Sequence, residues 1–101
     1  MSFSVVPSKD FRKALKQYQR AGNKNILAYA FEVIELLKVH DARALFVLST
    51  RWRDHALKGD KEGIRELHLS ADDLLLYRVY ERTSTIELLD IVSHEELRKK
   101  W

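Results

Sequence analysis

The stretch that decides the fold is residues 64–92, IRELHLSADDLLLYRVYERTSTIELLDIV. It reads as three strands separated by two short turns. Ile64 to Leu69 and Thr85 to Val92 are strand candidates, and Leu74 to Tyr80 between them is dense in Leu, Val and Tyr. Ser70-Ala71-Asp72-Asp73 and Glu81 to Ser84 supply turn-forming side chains. Turns this short join strands that run antiparallel, because a parallel return needs a crossover of a dozen or more residues. The segment is therefore expected to form a three-strand meander.

Working outward, Ser93 is placed to cap a short C-terminal helix, with Glu96 at the capping-box position, that ends in Arg98-Lys99-Lys100-Trp101. Upstream, Phe3 to Val6 is a short β-branched strand stopped by Pro7, and Ser8 is an N-cap candidate. Phe11, Ala14, Leu15 and Tyr18 follow at helical spacing until Gly22-Asn23 interrupts them. A second helix is expected from Lys24 to Val39, with Ile26, Ala30, Ile34 and Leu37 on one stripe. His40 then reads as a charge at a helix C-terminus. Residues 41–51 admit a helical extension, a short strand or an apolar loop, and Arg51 to Gly63 is expected to be loop. The order is β-α-α-β-β-β. The fold class is α+β: an N-terminal strand, a helical hairpin packed on one sheet face, the meander, and a short C-terminal helix.

Composition narrows the chemistry. The 101 residues suit one domain, and an apolar share of 46% supports a packed core. There is no cysteine, which excludes disulfides and thiolate metal sites and makes a reducing, cytoplasmic setting the expectation. No apolar run approaches the ~20 residues needed to span a bilayer, and the N-terminus does not resemble a secretory leader. Net charge is +3, gathered in three blocks: Lys9 to Lys24, Arg51 to Arg65, and Arg98 to Lys100. Basic faces suit a polyanion such as nucleic acid, and equally suit a solvated helix surface.

Strand phase points to the site. In Ile64 to Leu69 the mostly apolar set Arg65, Leu67 and Leu69 should face the helices, which leaves His68 on the open face beside Glu66. Asp72 lies in the next turn and His94 just after the last strand. Meander connectivity brings the end of the first strand, the start of the second and the end of the third to one edge, so His68, Asp72 and His94 are expected to converge. Histidine titrates near neutral pH, so a His/Asp cluster is a candidate for proton transfer.

Residues 53–79, RDHALKGDKEGIRELHLSADDLLLYRV, also carry a resemblance. They contain Asp-His-x-Leu-x-Gly, Arg-Glu-x-His, an Asp four residues after that His, and an apolar strand with Tyr. With Ser8 to Lys13 and the closing Ile91-Val92-Ser93-His94, this resembles the YafQ-type toxins of the RelE superfamily. The resemblance implies a RelE-like two-layer sandwich and a ribosome-dependent endoribonuclease that cleaves mRNA in the A site without a metal or other cofactor. Its implied partners are a cognate DinJ/RelB-like antitoxin, the ribosome and mRNA, with promoter DNA bound only through the antitoxin complex and no membrane. By position, it assigns His55, His68, Asp72 and His94 to catalysis, with His94 as acid and either Asp72 or His68 as base. Arg53, Lys58, Arg65, Arg98 and Trp101 are the expected RNA contacts. Relatives carry Trp at the position of Asp73 and Phe at the position of Arg98; an aromatic there can stack on a base, and Trp101 is the candidate replacement. The alternatives are a ParE-like member that inhibits gyrase by binding, a zinc enzyme using the His/Asp set, and a plain nucleic-acid-binding module.

Overall fold

In a computed structural model, which describes residues 2–101, the elements run β1 (Ser4–Pro7), α1 (Lys9–Arg20), α2 (Lys24–Val39), α3 (Ala42–Arg51), β2 (His55–Ala56), β3 (Arg65–His68), β4 (Leu74–Tyr80), β5 (Thr85–Val92) and α4 (His94–Lys100). The five strands form one sheet in the order β1-β5-β4-β3-β2. The β3–β4–β5 meander is antiparallel as expected. β1 pairs with β5 in parallel, so the sheet is mixed.

Side-chain caps start the helices. Ser8, Asn23, Asp41 and Ser93 each accept a hydrogen bond from a first-turn backbone N–H, and Ser93 with Glu96 completes the capping box. Asp41 settles residues 41–51: its carboxylate caps α3, and Ala44 and Leu48 turn inward. The segment is a separate third helix. α2 ends because His40 takes a left-handed conformation, φ 49°, with its ring 4.0 Å from that of Phe3. The loop expected from Arg51 to Gly63 contains the two-residue strand β2 and a turn of 3₁₀ helix, Gly59–Lys61.

The main core lies between the helices and one sheet face. Phe11, Ala30, Val33, Leu37, Leu48, Leu67, Leu75, Tyr77, Ile86 and Leu88 are all buried there. The opposite face is not open along its length. Ile64, Leu74, Leu76, Leu89, Val92 and Leu97 form a second cluster, flanked by Leu57 and Trp101, with α4 folded over it. A register shift between Leu76 and Tyr77 makes Leu89 an extra residue in β5. Ile91 thereby rejoins Ile86 and Leu88 on the helix side despite its odd spacing from Leu88.

Candidate active site

β2 and β3 set two of the histidines side by side. His55 pairs with Glu66 in the ladder, and His68 stands two residues along β3 on the same face as Glu66. His68 accordingly points away from the helices, as its strand phase predicts, while Leu67 is fully buried beneath them. His94 is the first residue of α4, where the capped turn after β5 delivers it to the same edge. The three rings form a row. The centroids of His55 and His68 are 6.0 Å apart, and those of His68 and His94 are 5.9 Å apart.

Each end of the row is anchored by a carboxylate. Asp72 Oδ1 lies 2.8 Å from His94 Nδ1 and accepts the His94 backbone N–H at 3.1 Å. An ionised carboxylate only accepts, so Nδ1 carries a proton. The bond from the His94 ring, then the one from its backbone, holds the Asp72 carboxyl below the usual carboxylate range. Glu66 is 5% exposed, and its Oε1 lies 3.2 Å from His68 Nε2 and 3.5 Å from His55 Nε2. The other His55 nitrogen is 2.7 Å from the Arg53 carbonyl. Desolvation lowers the His68 pKa against the pull of Glu66, and the positive fields of His55, His94 and Arg53 lower it further. A ring so placed is mostly neutral near pH 7 and has a free lone pair to offer.

Glu66 is the site residue that sequence reasoning left without a role. Its signal was present: an acid two residues before His68 on the same strand must share that histidine's face. The turn carrying Asp72 is fixed by its neighbour. Asp73 accepts from Tyr18 Oη at 2.5 Å and from Ser70 Oγ at 2.6 Å, and its backbone carbonyl accepts from Leu69 N–H at 2.8 Å. Asp73 thus ties the β3–β4 turn to α1.

The expected RNA contacts divide. Arg53 lies beside His68, in a left-handed conformation with φ 53°, and Lys58 is exposed on the loop after β2. Arg98 is exposed on α4, close enough for its charge to act on Asp72. Arg65 is on the wrong face for phosphate. Alternation along β3 turns it to the helix side, where it donates to Asp54 at 2.9 Å and to the Tyr77 hydroxyl at 3.2 Å. Trp101 is not free to stack as expected. Its ring packs at the second cluster and its indole N–H donates to buried Asp90 at 3.2 Å, alongside Lys100 Nζ at 2.9 Å.

A family model described as bacterial toxin of type II toxin–antitoxin system, YafQ, matches residues 3–99. The chain belongs to the YafQ family of type II toxins. Solved structures share the fold. The metal-bound toxin from Helicobacter pylori is 32% identical, with a TM-score of 0.75 over 94% of this chain and 98% of that one. YafQ from E. coli strain BL21(DE3), 20% identical, has a TM-score of 0.68 over 94% and 97% of the two chains. YafQ in the E. coli DinJ–YafQ toxin–antitoxin complex, also 20% identical, has a TM-score of 0.70 over 96% and 98%. No curated protein sequence matches the chain. In this YafQ-family toxin, His55, His68, Asp72 and His94 are thus brought together with Glu66, while Arg65 and Trp101 are held elsewhere. No described helix is long and apolar enough to cross a membrane.

Proposed function

We propose that this toxin is an endoribonuclease that cleaves mRNA in the ribosomal A site by general acid–base catalysis, without a metal or other cofactor, in the cytoplasm. The observation that carries the reading is the row of three imidazoles, with His94 bonded to Asp72 and His68 to buried Glu66. His68 takes the 2′-hydroxyl proton, and the 2′-oxygen attacks phosphorus. The bond from phosphorus to the 5′-oxygen breaks, and protonated His94 donates its proton to that oxygen, leaving a 2′,3′-cyclic phosphate and a 5′-hydroxyl. Asp72 is the poorer base because its lowered pKa stabilises the unprotonated carboxylate; it steadies the His94 imidazolium. His55, Arg53 and Lys58 neutralise the pentavalent phosphorane, and Arg98 contacts the chain beyond it.

A cognate antitoxin holds the toxin inactive and brings it to promoter DNA. The E. coli YafQ solved with DinJ supports that partner. The exposed cations Lys9, Arg12, Lys13 and Lys16 on α1 suit an acidic antitoxin segment or ribosomal RNA. Expression in growing bacteria tests the function. Growth arrest with messages cut in phase with codons is expected, and His94→Gln should relieve it. Arrest with intact message and blocked supercoiling would instead identify a ParE-like gyrase inhibitor.

One observation favours a second reading. The ligand atoms of His55, Glu66 and His68 lie within 4.8 Å of one another. Two of their separations, 3.2 and 3.5 Å, match the edge of about 3.4 Å implied by zinc bonds near 2.0–2.1 Å. Two His and one Glu would leave a coordination position open, and the H. pylori relative is described as metal-bound. A cation there would occupy the His68 lone pair that the acid–base scheme needs. Cleavage that survives EDTA supports the metal-free scheme; cleavage lost to EDTA and restored by zinc supports the metal.

A further inference from the structure

Beside His68 the surface opens into a cavity of about 470 Å³ walled by Tyr29, Arg51, Trp52, Arg53, His68 and Ser70. No residue of this wall except Arg53 and His68 has a part in the cleavage scheme. The size falls in the range of small-ligand sites, roughly 300–1,000 Å³. Its walls are planar and cationic. The Arg51 guanidinium sits over the Trp52 ring, 5.0 Å from its centroid, and the Tyr29 ring meets Trp52 edge-on at 5.7 Å. Trp52 is almost wholly buried and therefore rigid, and its indole N–H has no acceptor among the described residues. Arg53 is held in a left-handed conformation that a non-glycine residue adopts at a cost. That conformation is fixed from both sides: the Trp52 carbonyl accepts the His68 N–H at 2.8 Å, and the Arg53 carbonyl faces the His55 ring. Among the cavity's arginines, Arg51 is paired with Glu32 at 2.9 Å, a partly exposed ion pair in which a phosphate can compete for the guanidinium.

We propose that this cavity seats the base of the nucleotide next to the scissile phosphate, stacked against Tyr29 and the Arg51–Trp52 pair, with Arg53 on the phosphate between cavity and His68. The inference rests on the RNA-cleaving reading above and adds to it the residues that select the neighbouring base. Guanidinium and aromatic planes are the surfaces on which unpaired bases stack, and the shared His68 wall joins the cavity to the reacting phosphate.

The test uses the full chain and a hexanucleotide of 2′-O-methyl RNA, which lacks the attacking hydroxyl and so binds without being cut. NMR titration follows the Trp52 indole N–H, told from that of Trp101 with Trp101→Phe, together with the Tyr29, His68 and His94 ring signals. Expected is a concerted shift of both groups of signals with one Kd. Tyr29→Ala and, independently, Arg51→Ala should each raise that Kd about tenfold, the loss of one stacked base. Shifts at His68 and His94 without shifts at Tyr29 and Trp52, or variants that bind as tightly as the native chain, overturn the cavity and leave the cleavage reading standing. Shifts confined to the cavity overturn its proposed place beside the scissile phosphate. No shift anywhere at millimolar RNA overturns both.

Discussion

His94 and Asp72 hold each other at the exposed end of the histidine row, and this pair makes separable predictions. On the proposed scheme, His94→Gln removes the proton donor from a half-exposed position. Cleavage should fall at least about a hundredfold, the usual contribution of a positioned acid, while the thermal midpoint stays close to the native value; a cleavage assay and a melt read the two independently. The pH dependence follows from the sign of the Asp72 shift. Its folded pKa is lowered, so its contribution to stability is present above the unfolded value of about 3.9 and disappears as pH falls through the folded value. The difference in melting temperature between the native chain and Asp72→Asn should therefore be largest above about pH 4 and close at lower pH. A constant difference across that range would show that the lost charge is not what matters. Spacing from His68 in the sequence already singled out Asp72, but its bond to His94 spans residues 22 apart and needed the assembled edge. Glu66 was legible as a neighbour of His68 and not as the shared anchor of His55, because that contact depends on β2, two residues long and without a periodicity of its own.

At the scale of elements, two networks join pieces that are distant in the chain. Tyr18 ties α1 to the β3–β4 turn through Asp73. Tyr18→Phe removes a donor to a charged acceptor and should cost about 1–2 kcal/mol in urea unfolding. Cleavage should also fall, since Asp72 rides on that turn. On the helix side, Asp54 bonds both Arg65 and the Tyr77 hydroxyl. Asp54→Ala leaves Arg65 without its partner and should destabilise by about 2–3 kcal/mol, below the 3–5 kcal/mol of fully buried pairs because the Arg65 side chain is 36% exposed. The helix starts were readable from Ser8 and Ser93, whose caps act within one turn. α3 was ambiguous because Leu45, Phe46, Val47 and Leu48 are apolar all round, and the cap at Asp41 combined with burial of Ala44 and Leu48 decides it. Leu45 and Phe46 remain exposed.

For the molecule as a whole, stability rests on the cluster between helices and sheet. Leu67 is fully buried at its centre. Leu67→Ala should cost about 3 kcal/mol and lower the melting temperature by ten degrees or more, at roughly 4–8 °C per kcal/mol for a chain this size. Tyr77 contributes to the alkaline limit. Burial, then the charge of Asp54 and their bond, raises its hydroxyl pKa above the usual value. The neutral form is the one the fold holds, so its contribution is complete below the unfolded pKa of about 10 and is lost as pH rises beyond it. Alkaline titration monitored by circular dichroism should show the native chain losing stability above about pH 10, and Tyr77→Phe should flatten that decline.

Local pattern alone determined the meander, the helical hairpin, the caps and the face that His68 occupies, because turn chemistry, capping and strand alternation act over a few residues. The histidine set was legible in the same way, with the resemblance supplying His55. Tertiary structure decided the rest. β1 reached β5 in parallel, α4 covered part of a face expected to be open, Arg65 was drawn to Asp54 and Trp101 to Asp90. Each of these depends on which distant groups meet once the sheet has formed. A cation near a site finds its partner by distance through space, and a motif records only its distance along the chain. The histidines came together because the strands that carry them are paired; Arg65 was turned away by the same alternation that aimed His68.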